Sequence, residues 1–177
     1  MTSWVEVTLA EFILGLVTLQ RAAELVLSHT NTRRLLARGA IEVAPRHYPL
    51  MVAVHATWLI ALWVLGHDQP IHMIALAAYL LLQGLRFWVM RTLGPRWTTR
   101  IIVLPEAPLV TAGPYRFLSH PNYAVVIGEI AVLPLVLGLP GIAVIFTILN
   151  AGVLMIRIRA ENRALARSRE LMPRTAP

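Results

Sequence analysis

The chain has 177 residues, of which 57% are hydrophobic and only 14% charged, whereas soluble domains carry about a quarter of their residues as charges. That composition excludes an ordinary water-soluble enzyme and makes a bilayer the main solvent. The net charge of +7 comes from sixteen arginines and no lysine against nine acids, and the absence of cysteine excludes a disulfide framework, a thiolate metal site and a thiol nucleophile.

One helical crossing takes roughly 20 predominantly apolar residues, and five stretches of that kind follow in order. The first, 4–27, resembles a secretion signal only superficially: it lacks a basic start, carries Glu6 and Glu11, and shows no small-residue cleavage pattern. It reads as a retained helix. The second stretch is 48–66 and the third 71–90. After a polar, proline-bearing connection, a fourth covers 123–139, turns at Pro140-Gly141, and a fifth runs over 142–158. The prediction is an all-α integral membrane protein, a single domain over 1–177, with about five transmembrane helices and a carboxyl-terminal helical hairpin.

Fourteen of the sixteen arginines fall in three places: Arg33, Arg34, Arg38 and Arg46; Arg91, Arg96, Arg100 and Arg116; and Arg157 onward. The connections His67 to Pro70 and Pro140-Gly141 have none. Arginine collects in short cytoplasmic loops, so the alternation predicts an external amino terminus and a cytoplasmic carboxyl terminus. Three separate basic segments at one membrane surface do not make the single basic face that DNA requires, so no nucleic-acid partner is expected. The two long connections on the basic side are where function is expected, because long loops in compact domains tend to carry it.

The densest chemistry lies in Gly113-Pro114-Tyr115-Arg116-Phe117-Leu118-Ser119-His120-Pro121-Asn122-Tyr123. Ser119 as a cap and Pro121 in the first turn suit a well-terminated helix. Arg116, His120 and Tyr123 are not explained that way; they gather beside a helix amino terminus, whose free N–H groups receive anions. A second segment, Arg157-Ile158-Arg159-Ala160-Glu161-Asn162-Arg163-Ala164-Leu165, closes the fifth span. At 100° per residue, Asn150, Arg157 and Glu161 fall within about 40° on one helix face. The plain alternative is a snorkelling arginine paired with a glutamate one turn on.

Glu129, inside the fourth span, is the sharpest intramembrane acid; a catalytic role and a structural pair with Arg86 are equally compatible with its position. Gln20, Arg21 and Glu24 have the spacing of an interhelical lock. Glu42, His47 and His55 reach an acceptor if the first basic loop folds over the site, with His47 the best general base because its pKa lies near neutrality.

Together the two segments resemble the signature of the isoprenylcysteine carboxyl methyltransferase and phospholipid methyltransferase superfamily, roughly G-P-Y-R-x-x-x-H-P-x-Y before one helix and R-I-x-x-E-E-x-x-L after the next. Gly113, Pro114, Tyr115, Arg116, His120, Pro121 and Tyr123 match the first, and Arg157, Ile158, Glu161 and Leu165 the second. Asn162 replaces the second glutamate, so the first must carry any role that needs a carboxylate.

The resemblance covers about 91–165, and Gln20-Arg21-x-x-Glu24 looks like a bacterial branch. It implies S-adenosylmethionine as cofactor, bound at the cytoplasmic side by the carboxyl-terminal helices. His120, Pro121, Tyr123, Glu161 and Asn162 would form that pocket, and Arg116 and Arg157 would orient acids. A lipophilic acceptor would enter from the bilayer among membrane lipids, in a bacterial inner membrane, and no metal is demanded. The rival reading from another class is a non-enzymatic membrane module, a small transporter or a partner-binding subunit, which would bind no cofactor.

Overall fold

The computed structural model describes residues 8–105 and 107–171, with the side chains of His47 and of 163–171 outside that description. Five long helices order the chain: α1 (Leu9–Leu36), α2 (Tyr48–Gly66), α3 (Met73–Leu93), α4 (Pro121–Val136) and α5 (Pro140–Leu171). A capping box opens α1, where the Thr8 hydroxyl accepts from the Glu11 N–H at 3.1 Å and the Glu11 carboxylate accepts from the Thr8 N–H at 2.8 Å. The same hydroxyl donates to the His67 carbonyl at 2.6 Å, so the start of α1 and the end of α2 share one face of the bundle.

The His72 N–H donates to the Val136 carbonyl at 2.9 Å and pins the start of α3 to the end of α4. Between α4 and α5 the chain reverses at Gly138, whose φ of 66° lies in the left-handed region. There the Leu139 N–H reaches back to the Pro134 carbonyl at 2.8 Å and the Gly138 N–H to Leu135 at 3.2 Å, a Schellman closure. Pro140 then begins α5, where its missing N–H costs nothing. These two helices are antiparallel neighbours, and the arginine-bearing connections meet at the opposite end of the bundle.

Helix ends differ from the apolar runs. The first predicted span was 4–27; residues 1–7 lie outside the described residues, and α1 continues to Leu36. Polarity ends an apolar span without ending a helix, and Ser28, Asn31 and Thr32 are buried against neighbouring segments. The fifth span was expected to stop at 158, yet α5 runs to Leu171 through arginine, alanine, glutamate and leucine, good helix formers with no proline before Pro173.

By length and composition, Tyr48–Gly66, Met73–Arg96 and Pro140–Asn162 are able to cross a membrane. The 16 residues of α4 rise only about 24 Å against a bilayer core of about 30 Å. The long α1 carries Glu11, Arg21 and Glu24 within its apolar half.

The bundle core joins Leu14 and Val17 of α1, Trp58 and Leu62 of α2, Tyr79 of α3, and Ile130 and Leu133 of α4. Beside it sits an ionic hub. Arg86 of α3 donates through Nη1 to Glu129 of α4 at 2.7 Å and through Nε to Glu24 of α1 at 2.5 Å. Arg21 pairs with Glu24 at 3.1 Å and with Glu129 at 3.0 Å. Gln83 donates to Glu129 at 2.7 Å, and Gln20 donates to both Glu24 and Gln83. Two arginines and two glutamates thus cancel in charge, the condition under which ionised groups are tolerated away from water.

The basic connections are not purely irregular. Strands β1 (Ile41–Glu42) and β2 (Ile102–Val103) form a small antiparallel ribbon with Ile41 opposite Val103 and Glu42 opposite Ile102. Arg100 pairs with Glu42 at 2.6 Å and stacks its guanidinium 4.2 Å from the Tyr48 ring centre. The Asn31 amide donates to the Trp97 carbonyl at 2.9 Å, and the Thr99 N–H donates to the Ser28 hydroxyl at 2.8 Å. Residues 97–103 are therefore strapped onto α1 and the start of α2, forming a roof.

Candidate active site

Beneath that roof lies a cavity of about 810 Å³, within the range of small-molecule and cofactor sites. An apolar wall comes from Ile101, Ile102 and Val103 of the roof and from Leu104, Leu109 and Val110 beyond it. Opposite stand Tyr115, Ser119, His120, Asn122 and Tyr123 from the start of α4, and Arg157, Glu161 and Asn162 from α5. The two motif segments meet because the Gly138 reversal makes α4 and α5 neighbours.

His120, and not the expected Ser119, occupies the N-cap position of α4, and its side chain makes no cap hydrogen bond. The ring instead stacks on Tyr123, with centres 5.3 Å apart and planes 21° from parallel. Its Nε2 lies 3.3 Å from Asn162 Oδ1, and its Nδ1 lies 3.9 Å from Glu161 Oε2, an ion pair only when the ring is protonated. Pro121 fills the first helical position and is buried.

Tyr123 is the centre of the site. Its hydroxyl accepts from Arg157 Nε at 2.9 Å and donates to the Glu161 carboxylate. Arg157 is buried, with its guanidinium 5.5 Å from the Tyr123 ring centre. Its Nη1 points at the Met51 sulfur of α2, 3.1 Å away, a weak acceptor that leaves donor capacity unspent. Among the described residues no carboxylate lies within ion-pair distance of Arg157. A buried cation held by a phenol and a thioether thus has no direct carboxylate partner to balance its charge.

Tyr115 was quoted in the motif without a role. It lines the cavity, and burial, with Glu161 nearby as the smaller cause, pushes its phenol up to about 12. Met51 and the roof residues carried no signal in the sequence, since an apolar loop residue looks alike whether it covers a cavity or solvent.

The remaining candidates stand elsewhere. Arg116 is exposed, is absent from the cavity wall and makes no hydrogen bond or ion pair among the described residues. Glu129 spends both carboxylate oxygens in the ionic hub and is not part of this wall. Its pairing with Arg86 is the structural alternative weighed above. His47 closes a short 3-10 turn, Pro45–His47, and its side chain lies outside the described residues. Glu42 is engaged with Arg100, and His55 Nδ1 is 2.8 Å from the Met51 carbonyl within α2. Asn150, on the Arg157 face of α5, is fully buried with neither amide atom partnered.

A profile of the isoprenylcysteine carboxyl methyltransferase (ICMT) family matches residues 73–167, more than half of the chain and both motif segments. The uncharacterized protein YpbQ of Bacillus subtilis (strain 168) is 39% identical over 158 residues, covering 86% of this chain and 94% of the relative. An uncharacterized protein of Haemophilus influenzae is 26% identical over 152 residues, covering 82% of this chain and 88% of that protein. No solved structure matches the chain. The protein is an integral membrane protein that belongs to the isoprenylcysteine carboxyl methyltransferase family.

Proposed function

We propose that this chain is an S-adenosylmethionine-dependent methyltransferase that methylates an oxygen, a carboxylate or phenol-like hydroxyl, on a lipophilic acceptor. The observation that carries the reading is the Arg157–Tyr123–Glu161 chain on the wall of the cavity under the roof. The lining suits the cofactor: a carboxylate, an amide and an imidazole at one side offer partners for its amino-acid or ribose groups, and the aliphatic roof offers a surface for adenine. When bound, the cofactor supplies a methyl group already activated by its sulfonium.

The protein's own residues then bind, orient and exclude water. Glu161 holds the polar end of the cofactor, with Tyr123 fixing its carboxylate and His120 stacked behind the phenol. Asn162, which stands at the second glutamate position of the family pattern, extends this contact. Arg157 faces the acceptor or the cofactor carboxylate with its unspent donors. Its uncompensated positive charge favours an acidic oxygen and disfavours an amine, which is the reason for preferring O- over N-methylation. A carboxylate acceptor needs little proton removal, whereas a phenol calls for a base.

The acceptor reaches this site laterally from the bilayer, while the cofactor enters from water. The arginine-rich connections support a cytoplasmic position for the cavity, in a bacterial inner membrane with the amino terminus outside. Calorimetry of the detergent-purified protein with S-adenosylhomocysteine tests the reading: saturable binding near one per chain is expected, and the absence of binding overturns it in favour of a non-enzymatic module.

A further inference from the structure

The short 3-10 turn Gly113–Arg116 and the residues after it divide sharply between cavity and exterior. Tyr115 and Ser119 line the cavity, yet the three residues between them turn outward. Arg116 is exposed, Phe117 is 74% exposed and Leu118 is 50% exposed. A tight packing contact places this turn against the last turns of α3. A Cβ built on Gly113 would lie 2.5 Å from Thr92 Oγ1 and 3.2 Å from Trp88 Nε1, so the glycine seats directly on those side chains. Trp88 is itself half exposed, Phe87 beside it is 65% exposed, and Arg91 on the same turn of α3 is exposed.

Neither Arg91 nor Arg116 has an acid or hydrogen-bond partner among the described residues. Two guanidinium groups without a protein partner, an indole, a phenyl ring and a leucine are thus carried by two segments that meet where Gly113 packs on Trp88 and Thr92. Indoles concentrate where hydrocarbon meets water, a phenyl ring or a leucine enters the hydrocarbon beside them, and arginine at that level pairs with phosphate in a planar, bidentate fashion. The patch is continuous with the apolar outer face of α3, so acyl chains lying along that helix bring a headgroup to the arginines.

We propose that Arg91 and Arg116, with Trp88, Phe117 and Leu118, form a binding site for the headgroup of an anionic phospholipid at the rim of the cavity. The lipid phosphate bridges the two guanidinium groups, and Phe117 and Leu118 sit at the upper level of the acyl chains. The site ties the Tyr115–Ser119 side of the cavity to the membrane surface and accounts for an arginine that faces away from the cavity.

The test uses the full-length protein in a neutral detergent. Thermal unfolding is followed while dioleoylphosphatidylglycerol or dioleoylphosphatidylcholine is titrated into the micelles, and the apparent lipid affinity is read from the concentration dependence of Tm. Phosphatidylglycerol is expected to raise Tm saturably and phosphatidylcholine not to. Each arginine near an anionic surface contributes about fivefold in affinity, so Arg91→Gln with Arg116→Gln should weaken the phosphatidylglycerol response by roughly tenfold or more. Phe117→Ser with Leu118→Ser should weaken it as well.

Arg33→Gln with Arg34→Gln, on the exposed end of α1, serves as a charge-matched control and should retain the wild-type response. Equal responses to the two lipids overturn the proposal, as does an unchanged response in the Arg91 and Arg116 variant. A loss of the same size in the Arg33 and Arg34 variant overturns it in favour of general surface charge. Inorganic phosphate reproducing the shift overturns it in favour of a soluble anion. None of these readouts depends on methyl transfer.

Discussion

Replacing Tyr123 by phenylalanine removes one oxygen from the site and nothing else of consequence. The hydroxyl makes two hydrogen bonds to ionised groups, accepting from Arg157 and donating to Glu161, and each such bond is worth about 1.5 to 3 kcal/mol. Tyr123 and Arg157 are 8% and 4% exposed, so solvent has little access to replace the lost oxygen. Part of the loss appears as lower stability, since the bonds exist without ligand. The remainder appears in binding, because Glu161 is no longer fixed at the cavity wall.

The expected outcome is a weakening of S-adenosylhomocysteine affinity by about ten- to a hundredfold, or roughly 1.4 to 2.8 kcal/mol, measured by calorimetry on detergent-purified protein. The same measurement on Glu161→Gln and on the double variant closes a thermodynamic cycle. If the phenol acts through the carboxylate, the double variant loses little more than the worse single variant, with a coupling of about 1.5 kcal/mol. Strictly additive losses, or an unchanged affinity in Tyr123→Phe, would refute the reasoning.

Glu129→Ala leaves Arg21 and Arg86 with Glu24 alone and should destabilise the protein by about 3 to 5 kcal/mol; in the folded fraction, S-adenosylhomocysteine affinity should be unchanged, and lost affinity with an unaltered Tm would return Glu129 to the site. Asn150→Leu removes a buried amide with no partner on either atom. It should raise stability by about 1 to 3 kcal/mol, seen as a higher Tm, whereas a lower Tm would show that the amide is satisfied. Tyr115 is raised from its ordinary value of 10 to about 12 in the folded protein, so its neutral form is favoured there. Its stabilising contribution is complete below pH 10 and disappears as pH rises toward 12. Wild type should therefore lose Tm more steeply than Tyr115→Phe over that interval, and parallel curves would remove the phenol from the account.

Local properties of the chain were enough to predict five helices, the α4–α5 hairpin and the meeting of two motif segments at one end of the bundle. Run length in apolar residues, the break at Pro140-Gly141 and the distribution of arginine are all readable without knowing any neighbour, although the chain reverses slightly earlier, at Gly138, and Pro140-Gly141 already belongs to α5. Helix ends were not readable in the same way. Ser28, Asn31 and Thr32 extend α1 because a roof segment some seventy residues away in sequence takes up their polar groups or buries them.

The site was divided by the same distinction. His120, Tyr123, Arg157 and Glu161 carried motif spacing, but the hydroxyl that joins Arg157 to Glu161 belongs to another helix, 34 residues from the arginine and 38 from the glutamate. Tyr115 and Arg116 are adjacent, and a 3-10 turn rotates about 120° per residue. Packing of Gly113 on Trp88 and Thr92 decides that the phenol faces the cavity and the guanidinium faces out. Glu129 read equally well as a catalytic acid or a structural one. Only the convergence of α1, α3 and α4 placed two arginines around it, because a charge remote from water must find its partner in three dimensions rather than along the chain.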